Sequence, residues 1–364
     1  MIESDPVLNR PLTPAVERVL AIETSCDDTS VAIVEKSGLV ISLVSASQDL
    51  AHEPYGGIVP EIASRNHSLA LLPLIDEAFQ KAQLTWKDVD GIAVTNRPGL
   101  VGALIVGLVT AKTLSQTKKL PYIGINHLEG HLLAPFLKDE QYSPPPEFDY
   151  PYVGLAISGG HTSLYNIEGL GQYQVLGQTK DDAAGEAFDK FAKMVGLGFP
   201  GGSRVDLTAK VGDPKKYDFP RAMMHEDTFD MSFSGLKSSA QRMIASLSPE
   251  EVQRELPHLC ASFQEAIVDV LIAKLEKAAK AMNSKKVILT GGVSANSRLR
   301  VQAEIWATKK KMTLVIPPLK YCTDNAAMIG YAGILRLNRG ESSDLQLPPY
   351  PQALESDFIK KASL

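Results

Sequence analysis

Apolar residues along this chain fall into short β-branched runs that alternate with longer stretches where they recur every three to four positions. That alternation predicts an α/β fold. Residues 19–22, 30–35 and 39–45 read as three consecutive strands. The spacing of Leu72, Ile75, Ala78 and Phe79 predicts a helix over 68–82, with Pro73 in its first turns and a true start a few residues later. Residues 91–95 predict a strand, 100–116 a buried helix and 122–126 a strand, and a helix follows from about residue 127.

The proline-rich stretch 142–151 reads as a linker. Beyond it the opening pattern returns. Residues 19–33 run as apolar strand, small polar turn, Thr-Ser, apolar strand, and residues 152–165 repeat that grammar. We read this as an internal duplication. Two such turns facing each other across a cleft would offer backbone N–H groups to an anion, with phosphate the obvious guest. The second half continues with a helix at 183–195, a glycine-rich stretch at 196–202, a long helix at 262–282, a strand at 286–290, a helix through 309 and a strand at 313–316. The last helix is predicted at 323–337, with Thr323 as its N-cap and Gly340 just past its end.

Composition narrows the classes. A chain of 364 residues, 44% hydrophobic and 22% charged, has material for two ordinary domains and a real core. No stretch approaches the roughly 20 apolar residues of a membrane span, so no membrane is expected. Residues 1–18 carry acids and prolines rather than a signal-peptide core, and the protein is expected in the cytoplasm. Three widely spaced cysteines make neither a disulfide framework nor a cysteine zinc site. The net charge of −5 lacks the basic excess of a broad nucleic-acid binder. Any RNA contact would need a local patch, such as 118–119, 285–286 or 309–311, or a partner; each of those lysine clusters is more often simply a solvated helix end or turn.

The sharpest chemical feature is HLEGH at 127–131. His127 and His131, at i and i+4, share one helix face and suit a single metal ion; two unrelated histidines at a helix start would look the same. Zinc proteases place a glutamate next to the first histidine. Here Glu129 sits at i+2, about 200° round the helix, which argues against that mechanism. A carboxylate would complete the set. Asp324 is a candidate, although an aspartate in a first helical turn commonly serves only the helix dipole. The glycine turns at 158–160 and 291–296 follow apolar strands and admit a ligand close to backbone, and neither is a P-loop. Asp189, in DDAAGEAFDK at 181–190, either faces the cleft or belongs to a solvated helix face.

Taken in order, ETSCDDT at 23–29, GGIVPEIASR at 56–65, NHLEGH at 126–131, SGGHT at 158–162, DDAAGEAFDK at 181–190, FPGG at 199–202, FSGLK at 233–237, GGVSAN at 291–296 and CTDN at 322–325 resemble the TsaD family. Its members are the catalytic subunits of tRNA threonylcarbamoyladenosine synthesis, and the resemblance is to the bacterial branch. It implies an α/β, actin-like fold with two RNase H-like lobes around a cleft. The first lobe would span 19–141 and the second 152–340, with helical insertions and a last helix able to pack back on the first lobe. A disordered lead-in at 1–18 and a tail at 341–364 would flank them. It implies one divalent metal on His127, His131 and Asp324, iron first and zinc as the alternative. Threonylcarbamoyl-AMP would contact Ala156, Ile157, Ser158, Gly159, Gly160, Asp189, Gly202, Asp206 and Asn296, and ATP or ADP could occupy the same cleft. The acceptor would be N6 of the adenosine 3′ of the anticodon in tRNAs reading codons that begin with A. No residue is assigned as a general base.

The resemblance also implies partners: tRNA, a smaller inactive paralogue, a P-loop ATPase, and a separate synthase that supplies the adenylate. The helix faces at 72–79 and 100–114 are candidates for pairing with the paralogue. The chain departs from the family at two places. Ala156 stands where archaeal and eukaryotic relatives carry a tyrosine near the metal. Arg97 stands where a glycine is usual, and would either reshape a loop near the cleft or add positive charge for RNA. The competing readings are a non-catalytic nucleotide-binding protein of the same fold, a metallopeptidase, and a mitochondrial member acting without partners.

Overall fold

Residues 15–352 are described by a computed structural model of the chain, built on two five-stranded sheets. In the first, β1 (Arg18–Glu23), β2 (Thr29–Glu35) and β3 (Val40–Ala46) form an antiparallel meander. A one-turn helix α1 (Asp49–His52) and the long α2 (Pro60–Ala82) follow. Then come β4 (Gly91–Arg97), α3 (Val101–Lys118), β5 (Tyr122–Asn126) and α4 (His127–Leu133). Strands β4 and β5 add in parallel beyond β1, giving the order β3-β2-β1-β4-β5.

The second half repeats this plan. Strands β6 (Tyr152–Ile157), β7 (Thr162–Gly169) and β8 (Gln172–Gln178) form the meander. Helices α5 (Ala184–Met194), α6 (Gly201–Ala209), α7 (Ser234–Ala245) and α8 (Pro249–Ala281) come next. They lead to β9 (Lys286–Thr290), α9 (Ser297–Lys310) and β10 (Thr313–Val315). The order β10-β9-β6-β7-β8 is the first sheet's order again. The duplicated sequence grammar is therefore a duplicated topology.

Both central strands, β1 and β6, are covered on both faces, which is why they read as continuous apolar runs. One face of the first sheet packs on α2 and α3. The other is covered by α4 and by the last helix, α11 (Ala326–Leu337), which follows the one-turn α10 (Leu319–Cys322). Helix α11 thus follows the second sheet in sequence yet lies across β1, β2, β4 and β5 of the first. The largest core joins β6 and β9 to α5, α6, α7, α8 and α9. Residues 343–351 then run back along β5. The Ser343 amide donates to Tyr122 O at 2.9 Å, Lys112 Nζ to Leu347 O at 2.7 Å and the Tyr350 amide to Asn96 O at 2.9 Å.

Several elements differ from the sequence expectation. Helix α2 begins at Pro60, not near 68. A proline at N1 gives up an N–H that has no partner there, Glu61 suits the dipole, and Pro73 is absorbed in the interior. Helix α8 starts at Pro249 rather than 262, because Ser248 and Glu251 form a capping box ahead of a polar first stretch. The cap of the last helix is Asn325, not Thr323. Strand β8 has little apolar alternation and was not expected. By length and composition α8 could cross a membrane, contrary to the sequence reading, but most of that window is buried in the second lobe. Parts of the expected lead-in, 1–14, and tail, 353–364, lie outside the described residues.

Candidate metal centre and the cleft

Strand β5 ends at Asn126, whose Oδ1 accepts the Leu128 amide at 2.8 Å and starts α4. The helix opens on His127, brings His131 round one turn later, and has every residue buried. The two imidazoles stand edge to face, 4.7 Å between centroids. Asp324 arrives from the turn between α10 and α11; it precedes the Asn325 cap instead of lying in the first helical turn. Its Oδ1 is 3.1 Å from His131 Nε2 and 3.3 Å from His127 Nε2. One ligand atom from each residue lies within 4.8 Å of the others. The histidines are enclosed, while the Asp324 side chain stays 27% accessible, so the centre opens on one side.

A second layer fixes the first. Glu23, at the end of β1, places Oε2 3.0 Å from His127 Nδ1. Thr95 Oγ1 donates to the same oxygen at 2.5 Å, and the Ser25 amide to the other at 2.5 Å. With Nδ1 held by a carboxylate, His127 presents Nε2 to a ligand. Burial disfavours the imidazolium of His127, yet Asp324 and Glu23 outweigh it and hold the group well above its ordinary pKa. Burial and the neighbouring His127 push His131 down. Burial would raise Asp324, but His127 and His131 hold it well below the usual carboxylate range. Two carboxylates that favour a proton on an enclosed imidazole would equally favour a cation. The donor set, two imidazole nitrogens and a carboxylate oxygen with an open side, fits iron or zinc.

The second lobe contributes the β6–β7 turn. The Ser158 amide donates to His161 O at 2.7 Å, and the His161 amide to Ser158 Oγ at 3.1 Å. Gly159 and Gly160 at its tip are exposed, with open space beside them. The Ala156 and Ile157 side chains are buried in two different cores, so only their backbone is left to a ligand. Burial, and then the His127 and His131 imidazoles, push His161 down to about 4.

The other expected contacts gather at helix starts. Asp189 Oδ1 accepts the Gly201 amide at 2.8 Å and so holds the N-terminus of α6, which includes half-buried Gly202. Asp206 accepts from Ser297 Oγ at 2.8 Å and ties α6 to the start of α9. Asn296 caps α9 through the Leu299 amide and donates to Gln264 Oε1 at 2.7 Å. Between them Gly291, at φ 86°, passes against the Ile157 carbonyl.

Sequence reasoning did not single out Glu23, Ser25 or Thr95 as the backing of His127. The signal for Glu23 and Ser25 was their place in the ETSCDDT motif at 23–29. Nor did it find Thr290, whose buried hydroxyl oxygen has no protein partner. Burial raises Asp27, and burial with the charges of Asp27 and Asp324 pushes Asp28 up to about 7. Arg97 is half-buried, 5.7 Å from the Tyr350 ring, and braces the returning C-terminal segment. Glu129 lies away from the histidine face and is taken up by Arg336 and Tyr173, which removes the metallopeptidase base.

The model of the TsaD family, tRNA N6-adenosine threonylcarbamoyltransferase, matches residues 39–331. A relative of that description from Bdellovibrio bacteriovorus is 75% identical over 343 residues, covering 94% of this chain and 99% of its own length. Another, from Anaeromyxobacter dehalogenans, is 49% identical over 335 residues, covering 91% and 98%. Among solved structures, full-length HypF in its phosphate- and nucleotide-bound form aligns over 90% of this chain and 56% of its own, with TM-score 0.58 and 12% identity. Component A of (R)-2-hydroxyglutaryl-CoA dehydratase from Acidaminococcus fermentans aligns over 88% and 98%, with TM-score 0.52 and 12% identity. These structural likenesses establish the actin-like ATPase fold.

Proposed function

Because this chain belongs to the TsaD family of tRNA N6-adenosine threonylcarbamoyltransferases, we propose that the cleft between the His127–His131–Asp324 centre and the Ser158–Gly160 turn is where it performs that transfer. The chain is an acyltransferase that modifies tRNA, forming N6-threonylcarbamoyladenosine beside the anticodon in tRNAs reading codons that begin with A. The donor, threonylcarbamoyl-AMP, is already activated as a mixed anhydride with a good leaving group. The protein has to hold a weakly nucleophilic exocyclic amine against that carbonyl and stabilise the charge that develops.

The residues divide this work. Backbone N–H groups of the Ser158, Gly159 and Gly160 turn, with the backbone of Ala156 and Ile157 behind it, receive the acyl-phosphate. Asp189, Gly202, Asp206 and Asn296, at the starts of α6 and α9, take the rest of the adenylate or an ATP or ADP in the same place. His127, His131 and Asp324 hold one divalent metal, iron in our reading with zinc as the alternative. When bound, it supplies Lewis-acid polarisation and a template for the acyl group. Glu23 keeps His127 in the tautomer that faces the open side.

One observation carries this reading: ligand atoms of His127, His131 and Asp324, from two distant segments, converge within 4.8 Å with the aspartate still accessible. The test is transfer of labelled threonylcarbamoyl from the preformed adenylate to an ANN-decoding tRNA, with the bacterial partners added. Labelling of the adenosine beside the anticodon, lost in His131→Ala, is expected. Undiminished labelling by His131→Ala would remove the centre from the reaction.

For partners, the exposed apolar residues Leu69 and Leu72 of α2 and Val101, Ile105 and Val109 of α3 support pairing with a smaller inactive paralogue, since α2 and α3 pack side by side. A P-loop ATPase and a separate adenylate synthase complete the reading, with the cytoplasm as the setting.

A further inference from the structure

Helix α4 carries two metal-ligand candidates on one face and Glu129 on the other. Glu129 is 2% exposed, and both its oxygens are engaged. Arg336 Nε donates to Oε2 at 2.8 Å and Arg336 Nη2 to Oε1 at 2.9 Å, a two-pronged pair, while the Tyr173 hydroxyl of β8 donates to Oε1 at 2.7 Å. Arg336 Nη1 is steadied by Glu341 Oε2 at 2.6 Å. The carboxylate therefore ties α4 to α11 of the first lobe and to the second sheet.

Helix α11 is also the element that positions Asp324, two residues before its first turn. Helices α4 and α11 come closest at Gly130, where an added Cβ would lie 2.9 Å from Ile329 Cδ1 and 3.0 Å from Met328 Cγ. Arg336 lies eight residues beyond Met328, about 12 Å along the axis, so its bond to Glu129 adds a directional attachment well away from the Gly130 contact. A cavity of about 180 Å³ borders Glu129, Arg336 and Asn126, so around the ion pair itself its hydrogen bonds rather than close packing hold the groups. A buried ion pair contributes little net stability, but a bidentate one is directional.

We propose that Glu129 is a positioning residue. Its clamp on Arg336 and Tyr173 sets the angle between α4 and α11, and so the spacing of His127 and His131 against Asp324. This rests on the reading of those three as the metal site. It gives the glutamate between the two histidines a task away from the metal.

The experiment titrates purified full-length chain with Co²⁺, reading its visible absorption bands for ligand geometry and competing it with a chromophoric chelator for affinity. Wild type should bind one ion, and His131→Ala should lose it. Glu129→Gln, folded by circular dichroism, should bind about 10-fold more weakly with altered bands, and Arg336→Lys, which keeps charge but not the fork, should fall between. If wild type binds and Glu129→Gln matches it in affinity and bands, the clamp is overturned while the site stands. If wild type binds no Co²⁺, the site reading fails and the clamp with it. Should Glu129→Gln not fold, Tyr173→Phe decides: binding weakened about 3-fold or more upholds the clamp, and unchanged binding overturns it.

Discussion

The Nδ1 of His127 lies 3.0 Å from Glu23 Oε2, and Nε2 of the same ring lies 3.3 Å from Asp324 Oδ1. One imidazole thus joins the end of the first strand to the turn before the last helix. Glu23→Gln keeps the shape but weakens the grip on Nδ1. Metal affinity, read by chelator competition, should fall about 10- to 100-fold with the fold intact. Unchanged affinity would mean that packing alone sets the ring.

Residues that act as one unit are not additive. His131→Ala and Asp324→Ala should each lower the transfer rate by at least about 100-fold, and the double variant should be no worse than either. Losses that multiply in the double variant would show that the two residues act separately.

Gly291 sits at φ 86°, and a Cβ there would meet the Ile157 carbonyl oxygen at 2.4 Å. Both the dihedral and the backbone contact resist a side chain. Gly291→Ala should destabilise by about 2 kcal/mol or more in urea unfolding. Gly292 has nothing within 4 Å of such an atom, so Gly292→Ala should stay within about 0.5 kcal/mol of wild type. Equal effects would contradict the geometry.

Asp139 receives Lys320 Nζ at 2.8 Å and the Tyr321 hydroxyl, tying the segment after α4 to α10. Burial opposes its ionisation, but these donors prevail and hold the carboxyl down to about 2. A carboxyl lowered in the folded state adds stability that is present above its unfolded value of 3.8 and is lost as pH falls through about 2. Allowing for solvent screening, Asp139→Asn should cost about 1 kcal/mol at neutral pH. The gap to wild type should shrink as the solution is acidified through that window. A gap that stays constant would assign the effect to lost packing.

Ile105 and Val109 stand one turn apart on α3, 44% and 55% exposed. Ile105→Glu should leave thermal unfolding of the isolated chain unchanged and weaken association with the smaller paralogue at least about 10-fold by calorimetry. Unaltered association would move the pairing surface elsewhere.

What the sequence settled by itself was local. The apolar run at Tyr122–Asn126 and the i, i+4 spacing of His127 and His131 depend on neighbours a turn away, so strand, helix and shared face were all legible. The two glycine turns and the repeated grammar of residues 19–33 and 152–165 were legible for the same reason, and they gave the duplicated lobes. The motifs in order gave the family, and with it the implied set of His127, His131 and Asp324, before any geometry. Helix starts were lost where a proline or a polar first turn carried the signal, as at Pro60 and Pro249, because capping adds no apolar period.

The tertiary structure decided which distant groups meet. That Glu23 backs His127, that Glu129 turns to Arg336 and Tyr173, and that Arg97 braces Tyr350 follow from the chain's path: α11 and the C-terminal segment return to the first sheet after the second is complete. No periodicity encodes such pairings. They arise when a buried charge, costly to leave alone, finds the partner that topology brings within reach.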